Sequence, residues 1–403
     1  MPEVDHEGVV EFTRELVRIP SVNRPEDGLS EQPAAEAVAA RMRSFGWDPV
    51  LEEVAPGRPN VLCTVDGGLP GPTLMFEGHT DVVTEGDHGA WTHPPFGAEL
   101  VDGRIYGRGS ADMKGGLAAM VYAADALRRS GPFPGRVLLA ALCDEEEMML
   151  GAKHFVARGH HHGVDGVIVC EPEEGEVCAV SKGAIRIRVD ATGVMAHGAM
   201  PDHGRNPVTA LGRLSVRLEQ LQADLQARTG VHPHLDRCWI TPTVLRGGDL
   251  VQVNVIPATA TLAVDIRTTP DADHPALRAE IDEVVAAVAD DTGVRLAITV
   301  LDDRPPADTP VGAPVVRALA DAHRDVTGAP APFGGVPGTT DGTILWRDGG
   351  LDTVVYGPGG KWIAHQVDEF VEAAAVVEAA EVYVAAARRF LGAVPEGAAA
   401  AGA

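Results

Sequence analysis

The sequence predicts an α/β protein in which a central mixed sheet is flanked by helices and interrupted by an inserted domain of β-α-β-β-α-β order. Three observations carry this reading. Short continuous apolar runs, typical of strands buried on both faces, alternate with helical segments in the first part of the chain. Several of those runs end directly in a histidine or an acid. Past residue 181 the runs give way to strict apolar–polar alternation, and α/β character returns only after residue 302. A chain of 403 residues exceeds what one hydrophobic core usually holds. Two domains are therefore expected, one from 1–180 and 302–403, the other from 181–301.

In chain order, residues 7–18 place Val9, Val10, Phe12, Leu16 and Val17 on a helix closed by Pro20. Residues 31–45 form an Ala-rich helix ending at Gly46. Asn60–Val65 and Thr73–Glu77 read as strands, the second feeding into His79. Residues 115–129 repeat Leu117, Met120, Val121, Ala124 and Leu127 at helical steps. Arg136–Leu142 and Gly166–Cys170 are buried strands. In the insert, Ala184–Asp190 is a strand, Pro207–Gln226 a helix with Leu211, Leu214, Leu218, Leu221 and Leu225 in register, and Trp239–Leu245 and Thr259–Arg267 are strands. Ala276–Ala289 is a helix and Val294–Val300 the last strand, giving the ferredoxin-like order. Asp302–Pro314 reads as the linker back, followed by helix Pro314–Val326, strand Leu351–Tyr356 and helix Val371–Leu391. The Ala-rich tail from Pro395 is expected to lack order. His160, His161 and His162 sit in a glycine-flanked loop where adjacent imidazoles diverge, and no partner carboxylate is implied.

Composition narrows the function classes. There are 58 acidic residues against 33 basic ones, a formal charge of −25. Such a chain repels phosphate backbones and anionic lipid, so nucleic acid and membrane are not expected partners. The five cysteines include no Cys-x-x-Cys pair, so neither a disulfide framework nor a thiolate zinc site is indicated. Cys143 and Cys170 read as buried strand thiols. The segment from Met1 to Val10 is acidic without an apolar centre, and no apolar run approaches the ~18–20 residues that span a bilayer. The expectation is a cytoplasmic protein.

The chemistry lies in Gly78–Asp81, Ala111–Gly116, Asp144–Glu146, Glu171-Pro172 and His365. Two histidines and three carboxylates, with a spare Glu and a spare Asp beside them, suit two divalent metals sharing a bridging carboxylate, with a base left over for water. In His79-x-Asp81, residues two apart point the same way, so Asp81 can fix the imidazole tautomer. Asp112 sits among glycines at a helix start, where a plain N-cap is the simpler role and a bridge between cations the chemical one. The run Asp144–Glu147 would ordinarily be a solvated face, but it follows a strand that ends in the core. Neighbours there face opposite ways, so one Glu can ligate while the next serves as base. His365, taken alone, is a routine histidine after a Gly/Pro loop.

These pieces stand in order with Trp91-x-x-Pro94-Pro95-Phe96, Asp102–Gly109, Gly151, Ala196-His197, Asn254–Pro257 and Gly338–Asp341. Together they resemble the M20 metallopeptidase and deacylase family, which includes acetylornithine deacetylase, succinyl-diaminopimelate desuccinylase and aminoacylase. The resemblance implies a zinc-exopeptidase-like catalytic domain with an inserted lid that also dimerises. It implies that His79 and Glu171 hold one zinc, Glu146 and His365 the other, and that Asp112 bridges them, with cobalt or manganese as alternative metals. Glu145 would be the general base, Asp81 the orienter of His79, and His197 the lid histidine that steadies the oxyanion across a homodimer. Lys182, Asn254 and Arg267 would grip the substrate carboxylate, and Gly338, Thr339 and Thr340 would line its pocket.

Three departures bear on substrate. Thr343 stands where some deacylases carry Arg, and the lid motif reads His197-Gly198-Ala199 where Ser or Ala commonly follows the His. Glu171 stands where peptidase members tend to have Asp, which favours a deacylase. The implied activity is hydrolysis of an N-acyl amino acid or related carboxylate-bearing amide by metal-activated water. A dipeptidase or carboxypeptidase of the same family, and a catalytically silent metal-binding or scaffold homologue, are the alternatives.

Overall fold

The computed structural model describes residues 3–392, so the tail from Pro395 lies outside the described residues. The chain divides into two compact units. The first comprises the described parts of Met1–Val180, Thr309–Gly335 and Thr340–Ala403. Its eight-stranded mixed sheet runs in the order Val50–Ala55, Arg58–Asp66, Phe133–Leu142, Gly68–His79, Gly166–Val169, Thr353–Val355, Val177–Ser181, Phe333–Val336. Gly68–His79 is parallel to both Phe133–Leu142 and Gly166–Val169, with His79 opposite Leu142 and Glu77 opposite Val169.

Helices cover this sheet because their apolar stripes match its buried strands. His6–Val17 buries Val9, Phe12, Leu16 and Val17 and is capped by Asp5, whose carboxylate accepts from Gly8 N. Gly115–Arg129 is apolar nearly all round and is buried along most of its length. Ala373–Gly392 buries Val376, Tyr383 and Phe390. Each fully buried Leu, Val or Phe in this core contributes about 1.5–3 kcal/mol relative to exposure.

The second unit comprises Ser181–Asp308 and Val336–Thr339. Its antiparallel sheet has the order Trp239–Gly247, Thr259–Thr268, Gly183–Thr192, Arg295–Arg304. Ile185 pairs with Ile266, Ile187 with Val264 and Val189 with Leu262. Those side chains share one core with the leucines of helix Pro207–Thr229 and with Leu277, Ile281, Val285 and Val288 of helix His274–Thr292. Asn206 and Asp273 cap the two helices.

The structure differs from the sequence expectations in several places. Asp302–Arg304 are not linker but the end of the last strand, paired with Arg186, Ile185 and Ala184 beyond a bulge. Their charges are satisfied locally, by Arg304–Asp302 at 2.6 Å and by Asp303 with His274 and Arg278. Strands Val50–Ala55, Val177–Ser181 and Phe333–Val336 and helices Leu150–Ala157 and Asp341–Arg347 had no sequence prediction. They are short or lie at a sheet edge, where few apolar positions repeat. The histidine loop also gains a carboxylate partner, since Glu52 accepts from His160 at 2.7 Å and from His154 at 3.0 Å.

Candidate metal centre

Three parallel strands, Gly68–His79, Phe133–Leu142 and Gly166–Val169, end side by side in the first unit. The residues immediately past their C-terminal ends therefore meet at one sheet edge, which is where open α/β sheets build ligand sites. These residues are His79–Asp81, Asp144–Glu146 and Glu171. Asp112 arrives from a widened turn, Ser110–Lys114, in which its backbone is not helical (φ −114°, ψ 95°). The plain N-cap role fails here, because helix Gly115–Arg129 has no side-chain cap. Gly109 enters this turn at φ +82°, and a Cβ there would lie 2.4 Å from Val82 Cγ1. His365 comes from the loop after strand Thr353–Val355 and itself holds φ +66°.

The two oxygens of Asp112 face different imidazoles. Oδ1 lies 3.0 Å from His79 Nε2, and Oδ2 lies 3.2 Å from His365 Nε2. Glu171 Oε1 is 3.5 Å from the same His79 nitrogen, and Glu146 is 3.1 Å from the His365 nitrogen. Donor atoms of His79, Asp112 and Glu146, and likewise of His79, Glu145 and Glu171, lie within 4.8 Å of one another. His79 Nδ1 meets the main-chain carbonyl of Asp81 at 3.0 Å, and a carbonyl can only accept. Nδ1 therefore carries a proton, and Nε2 is the nitrogen turned to the carboxylates, free to ligate once a cation replaces its own proton.

Asp81 faces His79 as the sequence reading expects, and it does so through its carbonyl as well as its carboxylate. Its carboxylate is 3.5 Å from His79 Nδ1, farther than its own carbonyl. That carboxylate also accepts the backbone N–H groups of Glu145 at 3.2 Å and Glu146 at 3.1 Å.

The charge balance tests whether this donor set fits cations. Burial raises Glu145, Glu146 and Glu171, with Asp112 adding to the last two, and the Glu145 and Glu171 carboxyls are held well above the ordinary range. Burial would depress His79, but Glu171, Asp112 and Asp81 outweigh it and raise its pKa well above normal. Asp112 and Glu146 raise His365 to about 10 despite burial. Asp112 is lowered by the two histidines against its own desolvation. Clustered carboxylates that retain protons beside imidazoles that become cations describe a cavity that demands positive charge. Two divalent ions meet that demand, and N/O donors suit zinc, cobalt and manganese alike.

Sequence reasoning missed Arg108, Glu369 and Glu77. Arg108 and Glu369 form a fully buried ion pair beside Asp112 and His365. Glu77 is buried two residues before His79, and burial followed by Asp341 holds its carboxyl well above the ordinary range. The available signals were an Arg set between two glycines and a Glu four residues past His365, both weak. A third carboxylate–thiol group, Glu173, Glu176 and Cys178, is filled by the Lys361 ammonium at 2.7 and 2.8 Å from the two acids.

The remaining predicted residues belong mostly to the second unit. His197 and Asn254 are brought together there, because Ala196–His197 pairs with Val255–Ile256 and Gly198 N donates to Asn254 O at 2.6 Å. Lys182 is buried, donates to Arg237 O at 3.0 Å, and is lowered by that burial. Arg267 Nε donates to Asp265 at 2.8 Å. Thr339 Oγ1 accepts from Arg304 at 3.3 Å, and Gly338 stands beside it. Thr340, in the first unit, caps helix Asp341–Arg347 through Gly342 N.

Residues 75–389 match the model of peptidase family M20/M25/M40. The chain is 32 % identical over 385 residues to a succinyl-diaminopimelate desuccinylase of Cereibacter sphaeroides, covering 93 % of this chain and 97 % of that one. Its fold is similar to an M20 family metallo-carboxypeptidase from Sulfolobus solfataricus, with TM-score 0.78, 18 % identity and coverage of 95 % and 99 %. It is also similar to a dinuclear metal-binding peptidase of the M20 family from Bacillus subtilis, with TM-score 0.70, 16 % identity and coverage of 96 % and 99 %.

Proposed function

The chain belongs to peptidase family M20/M25/M40 and is a hydrolase of amide bonds, and we propose that it holds two divalent cations, zinc in the first instance, and removes the acyl group from an N-acyl amino acid. The observation that carries this reading is the division of the two Asp112 oxygens between His79 and His365, with Glu145 close by. His79 and Glu171 would hold one cation and His365 and Glu146 the other, with Asp112 shared. When bound, such a pair polarises an amide carbonyl and lowers the pKa of water to about 7. Glu145 takes the proton of the attacking water on its carboxylate and returns it to the leaving amine. Its burial, which favours the protonated form, suits a group that must accept and then hold that proton. Asp81 keeps Glu145 in place through the backbone of the Glu145–Glu146 turn.

On the second unit, Arg267 would grip the substrate carboxylate through its fork, with Lys182 and Asn254 as further contacts and Gly338 and Thr339 lining its pocket; Thr340, expected with them, belongs to the first unit, where it caps helix Asp341–Arg347. In a homodimer, His197 would reach across to the other copy and steady the oxyanion that develops there. The unit exposes Leu250, Val251 and Val253 at 93 %, 88 % and 83 %, an apolar turn that supports its use as the homodimer contact. No helix among the described residues is long and apolar enough to cross a membrane, and the five cysteines are free, which supports a cytoplasmic site of action.

The likeness to the desuccinylase of C. sphaeroides supports deacylation over peptide cleavage. The test is kcat/KM on N-acetyl and N-succinyl amino acids against dipeptides, with protein reconstituted in zinc, cobalt or manganese. Activity confined to dipeptides would turn the reading to a peptidase, and inertness on both sets would turn it to a silent homologue. Arg267→Ala should raise KM for carboxylate-bearing substrates about 10–100-fold, corresponding to one lost charge-assisted contact of about 1.5–3 kcal/mol. It should leave decarboxylated analogues nearly unaffected.

A further inference from the structure

Resting on the two-cation reading, we infer that Arg108 and Glu369 are positioning residues that lock the Asp112 turn and the His365 loop into one register. The two side chains stand 261 positions apart in the chain. A small antiparallel ladder joins their segments: Phe370 pairs with Tyr106, Val371 with Ile105 and Glu372 with Arg104. At its end Gly107 N donates to Glu369 O at 2.8 Å. The ion pair closes the ladder on the side facing the metal centre.

Each partner then reaches one half of that centre. Glu369 Oε2 pairs with Arg108 Nη1, while Oε1 accepts the backbone N–H of Ala111 at 3.0 Å and of Asp112 at 3.2 Å. Arg108 donates Nη2 to the carbonyl of His365 and Nη1 to that of Gln366, both at 3.2 Å. Its guanidinium lies 5.2 Å from the centre of the Trp91 ring. His365 needs this hold, because its backbone sits in the left-handed region that non-glycine residues avoid. The carboxylate thus fixes the backbone of the shared ligand, and the guanidinium fixes the backbone of the loop ligand.

The energetics favour a geometric role over a stabilising one. Arg108 is 3 % and Glu369 0 % exposed, and taking two charges out of water costs about as much as their attraction returns, so an apolar pair would hold the fold as well. An apolar pair could not accept from Asp112 N or donate to His365 O. His79 and Glu171, in contrast, come directly off sheet strands. Disturbing Arg108 should therefore loosen the His365–Glu146 half and spare the His79–Glu171 half, whereas disturbing Glu369, which holds the shared Asp112, should loosen both.

The test uses full-length Arg108→Lys and Glu369→Gln proteins, stripped of metal and titrated with Co2+ by equilibrium dialysis and visible absorption. Arg108→Lys keeps the charge and removes only the forked contacts, so it carries the test if Glu369→Gln fails to fold. For Arg108→Lys we expect the first equivalent of Co2+ to bind as in wild type and the second to weaken about 10–100-fold, the usual size of a lost supporting contact at a metal site; for Glu369→Gln we expect both equivalents to weaken, because Asp112 is shared. The double variant should be no worse than Glu369→Gln alone, because both residues act through one device. Unchanged binding of both equivalents would overturn the positioning role alone. So would parallel weakening of both equivalents in Arg108→Lys with a lower melting temperature of the metal-free protein. Wild-type protein that never takes up a second equivalent would overturn the two-cation reading, and this inference with it.

Discussion

The carboxylate of Asp81 accepts the backbone N–H of Glu146 at 3.1 Å. This contact ties the turn after one strand to the acidic turn after its neighbour, so the tautomer of His79 and the position of Glu145 depend on the same few atoms of chain. A base held through its backbone can move its carboxyl between water and leaving group without losing its place.

Glu145→Gln should therefore remove turnover and little else. The amide preserves volume and leaves the Asp81 contacts intact, but it cannot take a proton. We expect kcat to fall about 10²–10⁴-fold, the range for a general base. Elemental analysis should find an unchanged cation content, and loss of cations in this variant would make Glu145 a ligand instead.

Stripping the cations should destabilise the first unit. Without them, buried carboxylates must keep protons or repel. A ligand at one hundred times its Kd stabilises the folded state by about 2.7 kcal/mol. Calorimetry on chelated and reloaded protein should show a melting temperature lower by roughly 5 °C or more in the chelated form. Equal melting of the two forms would remove the charge argument.

Gly116→Ala should damage a ligand it does not touch. A Cβ at Gly116 would lie 1.9 Å from the carbonyl oxygen of Cys170, the residue before Glu171. Helix propensity favours Ala by about 1 kcal/mol at an unhindered site. Overpacking against backbone costs about 1–3 kcal/mol and should win. Urea unfolding should give a lower midpoint, and cation affinity should fall as Glu171 is pushed away.

Glu52→Gln should flatten the acid side of the stability curve. Burial opposes ionisation of Glu52, but His154 and His160 outweigh it and bring its pKa from 4.5 down to about 2. A carboxylate depressed on folding contributes stability that is present above about pH 4.5 and is lost as the pH falls toward about 2. Wild type should lose stability steeply across that window. The Gln variant should start lower at neutral pH and change less, as read by denaturant midpoints at successive pH values.

Most of the fold could be read from the sequence, because its signals are local and repeated. The leucines of Pro207–Thr229 and the alternation of Ile185, Ile187 and Val189 each bury one face wherever the neighbours lie, so period alone identifies them. Val177–Ser181 is the same kind of short run buried on both faces as Gly166–Val169 and is passed over, because a few apolar residues without a period are a weak local signal. Among the site residues, those at strand ends were readable. His365 was not, except through family resemblance, because a lone histidine in a Gly/Pro loop carries no local sign of its partners.

The sequence by itself therefore determined the longer helices and most strands, which residue types could hold cations, and the family the chain belongs to. Tertiary structure alone decided that each oxygen of Asp112 meets a different imidazole, that Asp81 holds the acidic turn by its backbone, and that Arg108 and Glu369 pair next to both. The physical reason is separation along the chain. Periodicity reports forces acting within a turn or a strand, whereas these contacts join residues tens to hundreds of positions apart and exist only once sheet register has fixed where each strand ends.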